Sequence, residues 1–74
     1  MAEFKFLGYF ADIYGKTRVN ITLDSARKLR DILGVEFPED RAIVLINRTA
    51  GNFDSLISNG DKVVIMPMIS GGGS

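Results

Sequence analysis

The sequence predicts an α+β domain: a small sheet with one face covered by one main helix. Three observations predict it. Segments with a period of two flank a segment of helical period, and glycine-containing polar turns separate them. The order reads strand, strand, helix, strand, short strand, strand, so the helix links a hairpin to later strands. At 74 residues the chain is one domain, and folding buries roughly 60% of the unfolded surface. The domain is expected over residues 1–70, with a flexible glycine-rich tail over 71–74.

Phe4 to Phe10 alternates as a strand does. Phe4, Phe6, Gly8 and Phe10 share one face, and Lys5, Leu7 and Tyr9 the other. Ala11 to Lys16 turns, with Gly15 tolerating positive φ. Arg18 to Leu23 is the second strand, with Val19, Ile21 and Leu23 inward. A helix follows: Asp24 and Ser25 are N-cap types, Gly34 is a stop, and Ala26, Leu29, Ile32 and Leu33 form the apolar stripe. Arg27, Lys28, Arg30 and Asp31 face water, with Arg27 and Asp31 at the i,i+4 spacing. Glu36 to Asp40 is a loop that Phe37-Pro38 enters extended. Arg41 to Asn47 is a strand whose run Ala42 to Ile46 does not alternate, so it is expected to be central and buried on both faces. Arg48 to Asn52 turns, Phe53 to Ile57 connects, and Ser58-Asn59-Gly60-Asp61 turns into a last strand from Val63.

Composition excludes several function classes. Without cysteine there is no disulfide framework, thiolate metal site or cysteine nucleophile. Without histidine the commonest general base and metal ligand are missing. Nine basic and nine acidic residues balance, so no basic field recruits nucleic acid or anionic lipid. No apolar run approaches a membrane span and the start is no signal sequence, so a cytoplasmic protein is expected. Three candidate chemistries have simpler explanations. Gly15-Lys16-Thr17 lacks the glycine four residues before its Gly-Lys pair that a phosphate loop needs, and a hairpin turn explains it. Asp54 with Asp61, or Glu39 with Asp40, sit in or beside turns, where acidic residues cap and turn the chain. The basic residues of the helix are a solvated face rather than a phosphate site.

The functional signal is the terminus. Val63-Val64-Ile65-Met66 is an apolar strand, and Pro67 ends its ladder for want of an N–H. Ser70 and three glycines follow. From Ser70 to Gly72 the backbone can enter a slot about 10 Å deep without a Cβ in the way. Met66, Met68 and Ile69 beside such a tail suggest a docking patch, because methionine packs adaptably.

Five pieces of the chain, in order, resemble one family. They are Tyr9-Phe10-Ala11 with Tyr14-Gly15, the helix start Ser25 to Arg30, Ile46-Asn47-Arg48-Thr49, Asn59-Gly60-Asp61-Lys62-Val63, and Met66-Pro67-Met68-Ile69-Ser70-Gly71-Gly72. Together they resemble the ubiquitin-like sulfur carriers, namely the small subunit of molybdopterin synthase and its relative in thiamine biosynthesis. The resemblance implies a β-grasp fold, a mixed sheet of about four to five strands packed on one helix.

It also implies a mechanism. A ubiquitin-activating-enzyme-like partner uses ATP to adenylate the terminal glycine carboxylate. Sulfur then replaces an oxygen to give a thiocarboxylate, and the tail delivers it to a sulfur acceptor such as the large subunit of molybdopterin synthase. The carrier is not itself an enzyme, holds no cofactor or metal, and needs neither acid, base nor nucleophile. By position, Gly72 is the activated residue and Gly71 its partner in the thread. Phe10, Ala50 and Met66 fall where the family makes apolar contacts, and Pro67 and Ile69 extend that patch. The family ends at Gly-Gly, whereas this chain continues with Gly73-Ser74; the Pro67-to-Gly72 spacing of the family favours these two residues being non-native or removed before use, the alternatives being a register slipped by one, with Gly72-Gly73 as the functional pair, or a chain that is not activated. Thiamine precursors, tRNA thiolation and protein lysines are alternative acceptors, and an interaction module that never conjugates is the alternative of another class.

Overall fold

The computed structural model describes residues 1–68. In chain order the elements are β1 (Ala2–Phe6), α1 (Tyr9–Tyr14), β2 (Arg18–Ile21), β3 (Arg27–Lys28), α2 (Leu29–Leu33), a 3-10 turn (Glu39–Arg41), β4 (Ala42–Ile46), β5 (Thr49–Gly51), β6 (Leu56–Ile57) and β7 (Lys62–Pro67). Five strands form one mixed sheet in the order β2-β1-β7-β4-β5, while β3 and β6 make a separate two-stranded ribbon. Only β1 and β7 run parallel, with Phe4 opposite Val63 and Phe6 opposite Ile65. The predicted mixed sheet therefore forms at its upper size. Among the described residues no helix is long and apolar enough to cross a membrane.

The first strand is shorter than its alternation suggests. It ends at Phe6, and the segment read as strand and turn coils into α1. Gly8 causes the break: its φ of 60° and ψ of −143° suit glycine alone. Phe10 and Tyr14 then lie four residues apart on the helix face that packs on the core, while Tyr9 and Ile13 turn outward. Phe6, Gly8 and Phe10 have the spacing of a strand face, which hid the change of period. Gly15 caps this helix in the left-handed conformation, its N–H donating to the Ala11 carbonyl at 2.8 Å, so it serves as a stop and not as part of a phosphate loop.

The main helix is also shorter than expected, and Asp24 and Ser25 do not cap it. Arg27 and Lys28 are extended, paired with Ile57 and Leu56, so Arg27 and Asp31 form no intrahelical pair. The first helical N–H groups find loop carbonyls instead: Leu29 donates to Ser55 and Arg30 to Phe53, both at 3.0 Å. Gly34 ends the helix as predicted. The turn expected over Arg48 to Asn52 is tighter than that. Asn47 and Arg48 alone make it, both at positive φ, and Thr49 already belongs to β5.

Covered by α1, α2 and the loops, one face of the sheet is the core. Phe4, Phe6, Val44, Val63 and Ile65 come from strands, Phe10, Leu29 and Leu33 from helices, and Phe37, Phe53 and Ile57 from connections and β6. Phe37 is the hub: its ring centroid lies 6.0 Å from Phe6, 5.6 Å from Phe10 and 5.9 Å from Phe53. Among the described residues the opposite face has no second layer. The expectation that Ala42 to Ile46 is central and buried on both faces is therefore corrected: β7 is the central strand, and of β4 only Val44 is fully buried.

Polar side chains fix the connections. Asn59 clamps Leu23, accepting from its N–H and donating to its carbonyl. Asp61 accepts from the Ser58 N–H at 2.8 Å and from Asn47 Nδ2 at 3.0 Å. These two donors hold its carboxyl below the usual carboxylate range, the Ser58 N–H contributing most. Arg30 joins α2 to two loops, donating Nε to Asp54 at 2.9 Å and its terminal nitrogens to both oxygens of Glu39.

Three outcomes follow. Phe37→Ala removes the hub and is expected to cost about 3–5 kcal/mol, comparable to the whole net stability of a core this small, roughly 3–5 kcal/mol; urea denaturation checks it. Gly8→Ala meets a strained φ and a Cβ position 2.9 Å from Pro67 Cγ. It is expected to cost about 1–3 kcal/mol, read as a fall in thermal midpoint of about 4–8 °C per kcal/mol. The depressed carboxyl of Asp61 contributes stability above the unfolded carboxyl pKa of about 3.9, and that contribution is lost as pH falls through the folded value. Asp61→Asn is expected to lower stability at neutral pH and to flatten the acid limb of a melting-versus-pH profile.

Candidate functional site

The site is built where β7 ends. Apart from its N-terminal Lys62, β7 is flanked on both sides: Val63 to Ile65 pair with β1 and with β4, and the β4 pairing continues through Met66 and Pro67. Pro67 opposes Ala42 but has no N–H to donate, so the regular ladder stops there. One further bond holds the chain, from the Met68 N–H to the Arg41 carbonyl at 2.8 Å. On the core side Gly8 lets the backbone between β1 and α1 pass against the Pro67 ring, and the Leu7 N–H donates to the Ile65 carbonyl at 3.0 Å. The chain is therefore hydrogen-bonded from both flanks through Ile65 and from the β4 side on to Met68. Gly71, Gly72 and Ile69, together with the domain boundary expected at residue 70, lie outside the described residues.

The remaining expected patch residues divide among three places. Ala50 and Met66 share the open face of the sheet. Strand alternation puts Ile43, Leu45, Val64 and Met66 opposite the buried face, and the register sets Ile43 beside Met66 and Leu45 between Val64 and Ala50. All are half-buried except Ala50, which is exposed. Pro67 lies on the other parity, against Gly8 at the base of the terminus. Phe10 is corrected: none of its surface is exposed, because α1 turns it into the core against Phe37, so its side chain cannot reach a partner. Its neighbour Tyr9 is 43% exposed instead.

Sequence reasoning missed Ile43, Leu45, Val64 and Tyr9. For the first three the signal was present, since a sheet with one covering helix must leave one face open. For Tyr9 it was masked by the strand-like spacing of Phe4 to Phe10.

The open face is ringed by cations more than by anions. Lys5 stands opposite Val64, Lys62 precedes it in β7, and Arg18 pairs loosely with Glu3 at 3.6 Å. Near the terminus an open cleft of about 650 Å³ is lined by Tyr9, Pro38, Arg41 and Met68. Among the described residues none of these surfaces assembles an acid–base pair. Three of the acidic candidates serve structure: Asp61 holds its turn, Arg30 holds the Asp54 carboxyl below its ordinary range through a direct hydrogen bond, and the same guanidinium clamps Glu39. What the arrangement can do is present a chain end and offer apolar surface beside it.

Comparison with known proteins agrees with that geometry. A family model described as the ThiS family matches residues 4–72. Small archaeal modifier protein 1 from Haloferax volcanii has a similar structure, with a TM-score of 0.71 at 23% identity, covering 96% of this chain and 98% of that one. A putative molybdopterin converting factor, subunit 1, from Pyrococcus furiosus gives 0.67 at 19% identity, covering 92% and 97%. Small archaeal modifier protein 1 from Methanosarcina acetivorans gives 0.61 at 15% identity, covering 96% and 95%. No curated protein matches the sequence. These neighbours share the ubiquitin-like β-grasp fold, and with a family match over nearly its whole length the chain belongs to the ThiS family, ubiquitin-like sulfur carriers.

Proposed function

We propose that the chain carries sulfur on its C-terminal glycine, as a thiocarboxylate formed at Gly72, for the assembly of molybdopterin. The observation that carries this reading is the family match, which runs through Gly71 and ends on Gly72, leaving Gly73 and Ser74 beyond it. The built end of β7 supports it, since a sheet that grips the chain to Met68 makes a fixed base for a working terminus. A putative molybdopterin converting factor, subunit 1, among the similar structures supports molybdopterin as the acceptor.

The chemistry belongs to the partner. The Gly72 carboxylate attacks the α-phosphate of ATP on an adenylating enzyme, expelling pyrophosphate and forming a mixed anhydride. A sulfur nucleophile then displaces AMP, a far better leaving group than oxide. The chain contributes position and a path without side chains at Gly71 and Gly72. A solvated carboxylate needs no activation by its own protein, which fits a sequence without histidine or cysteine. The modifier names of two neighbours favour a second use of the same adenylate, attack by a protein amine to give an amide.

A chain trimmed to Gly72, incubated with its adenylating enzyme, ATP and a sulfur donor, is expected to gain the mass of one sulfur-for-oxygen exchange. Gly71→Val is expected to slow that gain by at least about tenfold, a barrier increase on the order of 1.4 kcal/mol, because a β-branched side chain enters the thread. Equal activation of the chain ending at Ser74 overturns Gly72 as the reactive residue. An amide-linked protein adduct found by mass spectrometry in cells, without thiocarboxylate, replaces the sulfur reading with the modifier one.

A further inference from the structure

We infer that the cleft lined by Tyr9, Pro38, Arg41 and Met68 is the seat for the rim of the adenylating enzyme's channel, and that the rim presents an apolar side chain flanked by a carboxylate. The inference rests on the reading of Gly72 as the activated residue. Gly72 stands four residues past Met68, and four residues at full extension span at most roughly 13–14 Å. An enzyme that encloses the Gly72 carboxylate and ATP must therefore bring its channel mouth down onto the surface around Met68. What it meets there is a cleft of about 650 Å³ holding Tyr9 at 43% and Met68 at 53% exposure. Ile13 is 38% exposed one helical turn beyond Tyr9, which widens the apolar surface.

Arg41 sets the charge of the occupant. Among the described residues the ion pairs involve Arg18 and Arg30, and Arg41 has none. Its backbone carbonyl is already bonded to the Met68 N–H, so its Cα is fixed beside the exit of the chain. A tail drawn out to Gly72 puts the reacting phosphates farther from Arg41 than an arginine side chain spans, so the guanidinium meets the rim and not the nucleotide. The described residues that line the cleft hold no carboxylate, so the partner for Arg41 comes from outside the cleft itself. The short reach from Met68 to Gly72 makes the occupant the enzyme whose channel receives the tail, and the surface is distinct from the open sheet face that carries Ala50 and Met66.

ATP–pyrophosphate exchange by the adenylating enzyme of the same organism, driven by the chain trimmed to Gly72, tests this. Arg41→Glu and Met68→Ser change exposed side chains and keep the backbone bond between these residues, and circular dichroism melts verify that each folds. Each is expected to raise the KM for the carrier about tenfold while kcat changes less than about twofold, since the cleft seats the carrier and touches no reacting atom. A second arm reads Tyr9→Ser in the same way. KM values within about twofold of the wild type for all three variants overturn the seat and leave the tail reading intact. A wild-type trimmed chain that supports no exchange overturns the tail reading, and the seat with it.

Discussion

The structure depends on the last strand of the chain being the middle strand of the sheet. β7 lies between β1 and β4, so most of its backbone donors and acceptors are taken from two sides, and it alone joins the β1–β2 hairpin to the β4–β5 hairpin in the described sheet. Remove β7 and what remains is two separate two-stranded hairpins, each marginal alone. That arrangement ties the position of the C-terminal end to the stability of the whole domain. A strand at the edge would fray at its terminus, whereas this one is held to Met68 by a ladder, a proline seated on a glycine, and a last bond to Arg41.

Holding β7 in the centre requires a core dense enough for a small domain, and aromatic rings supply it. Phe6, Phe10, Phe37 and Phe53 arrive from a strand, a helix and two connections and meet around Phe37. Connections that would otherwise be loose are thereby tied to the sheet. The polar links repeat the logic at the surface: Arg30, Asn59 and Asp61 each join segments far apart in sequence or close a turn at a strand end. With one face filled in this way, the other is left for contact, and its half-buried row across β4 and β7 is apolar where a solvated sheet face would be polar.

How far the sequence was legible follows from which rule each segment obeys. The strands around Val19 and Val63, the Gly34 stop and the Ser58 to Asp61 turn read correctly, because local preference and tertiary position agree there. Phe4 to Phe10 misleads because a strand followed by a helix can place aromatic residues at every second position. The start of α2 misleads because loop carbonyls of Phe53 and Ser55 do the work expected of a capping side chain, and no local signal announces a partner that lies more than twenty residues away. Ala42 to Ile46 misleads because an apolar run marks burial on two faces or a face kept for a partner, and the run itself does not distinguish them. The patch inherits these errors: Met66 and Ala50 are placed together, Phe10 is not, and Tyr9 takes the exposed position beside it.

A carrier that works by its terminus faces one thermodynamic problem, and the fold answers it. Fixing residues 69–72 in a channel costs roughly 1–2 kcal/mol of backbone entropy each, about 4–8 kcal/mol together, and glycine stands at the upper end of that range. Of these four residues Gly71 and Gly72 bring neither apolar area nor a polar side chain, so Ile69 and Ser70 alone can offset part of this cost from within the thread. The rest of the binding energy must come from the folded body. At roughly 25 cal/mol per Å² of apolar surface, some 160–320 Å² of well-packed contact offsets the threading. The open row of Ile43, Leu45, Val64 and Met66 and the cleft beside Met68 are surfaces of the required kind, and both adjoin the strand that leads to the tail. Because β7 is gripped from both flanks, energy gained by docking the body is transmitted to the terminus as position instead of being lost to slack between them. On the proposed reading the division of labour is physical: the sheet binds, the glycines reach, and the chemistry is left to the adenylating enzyme.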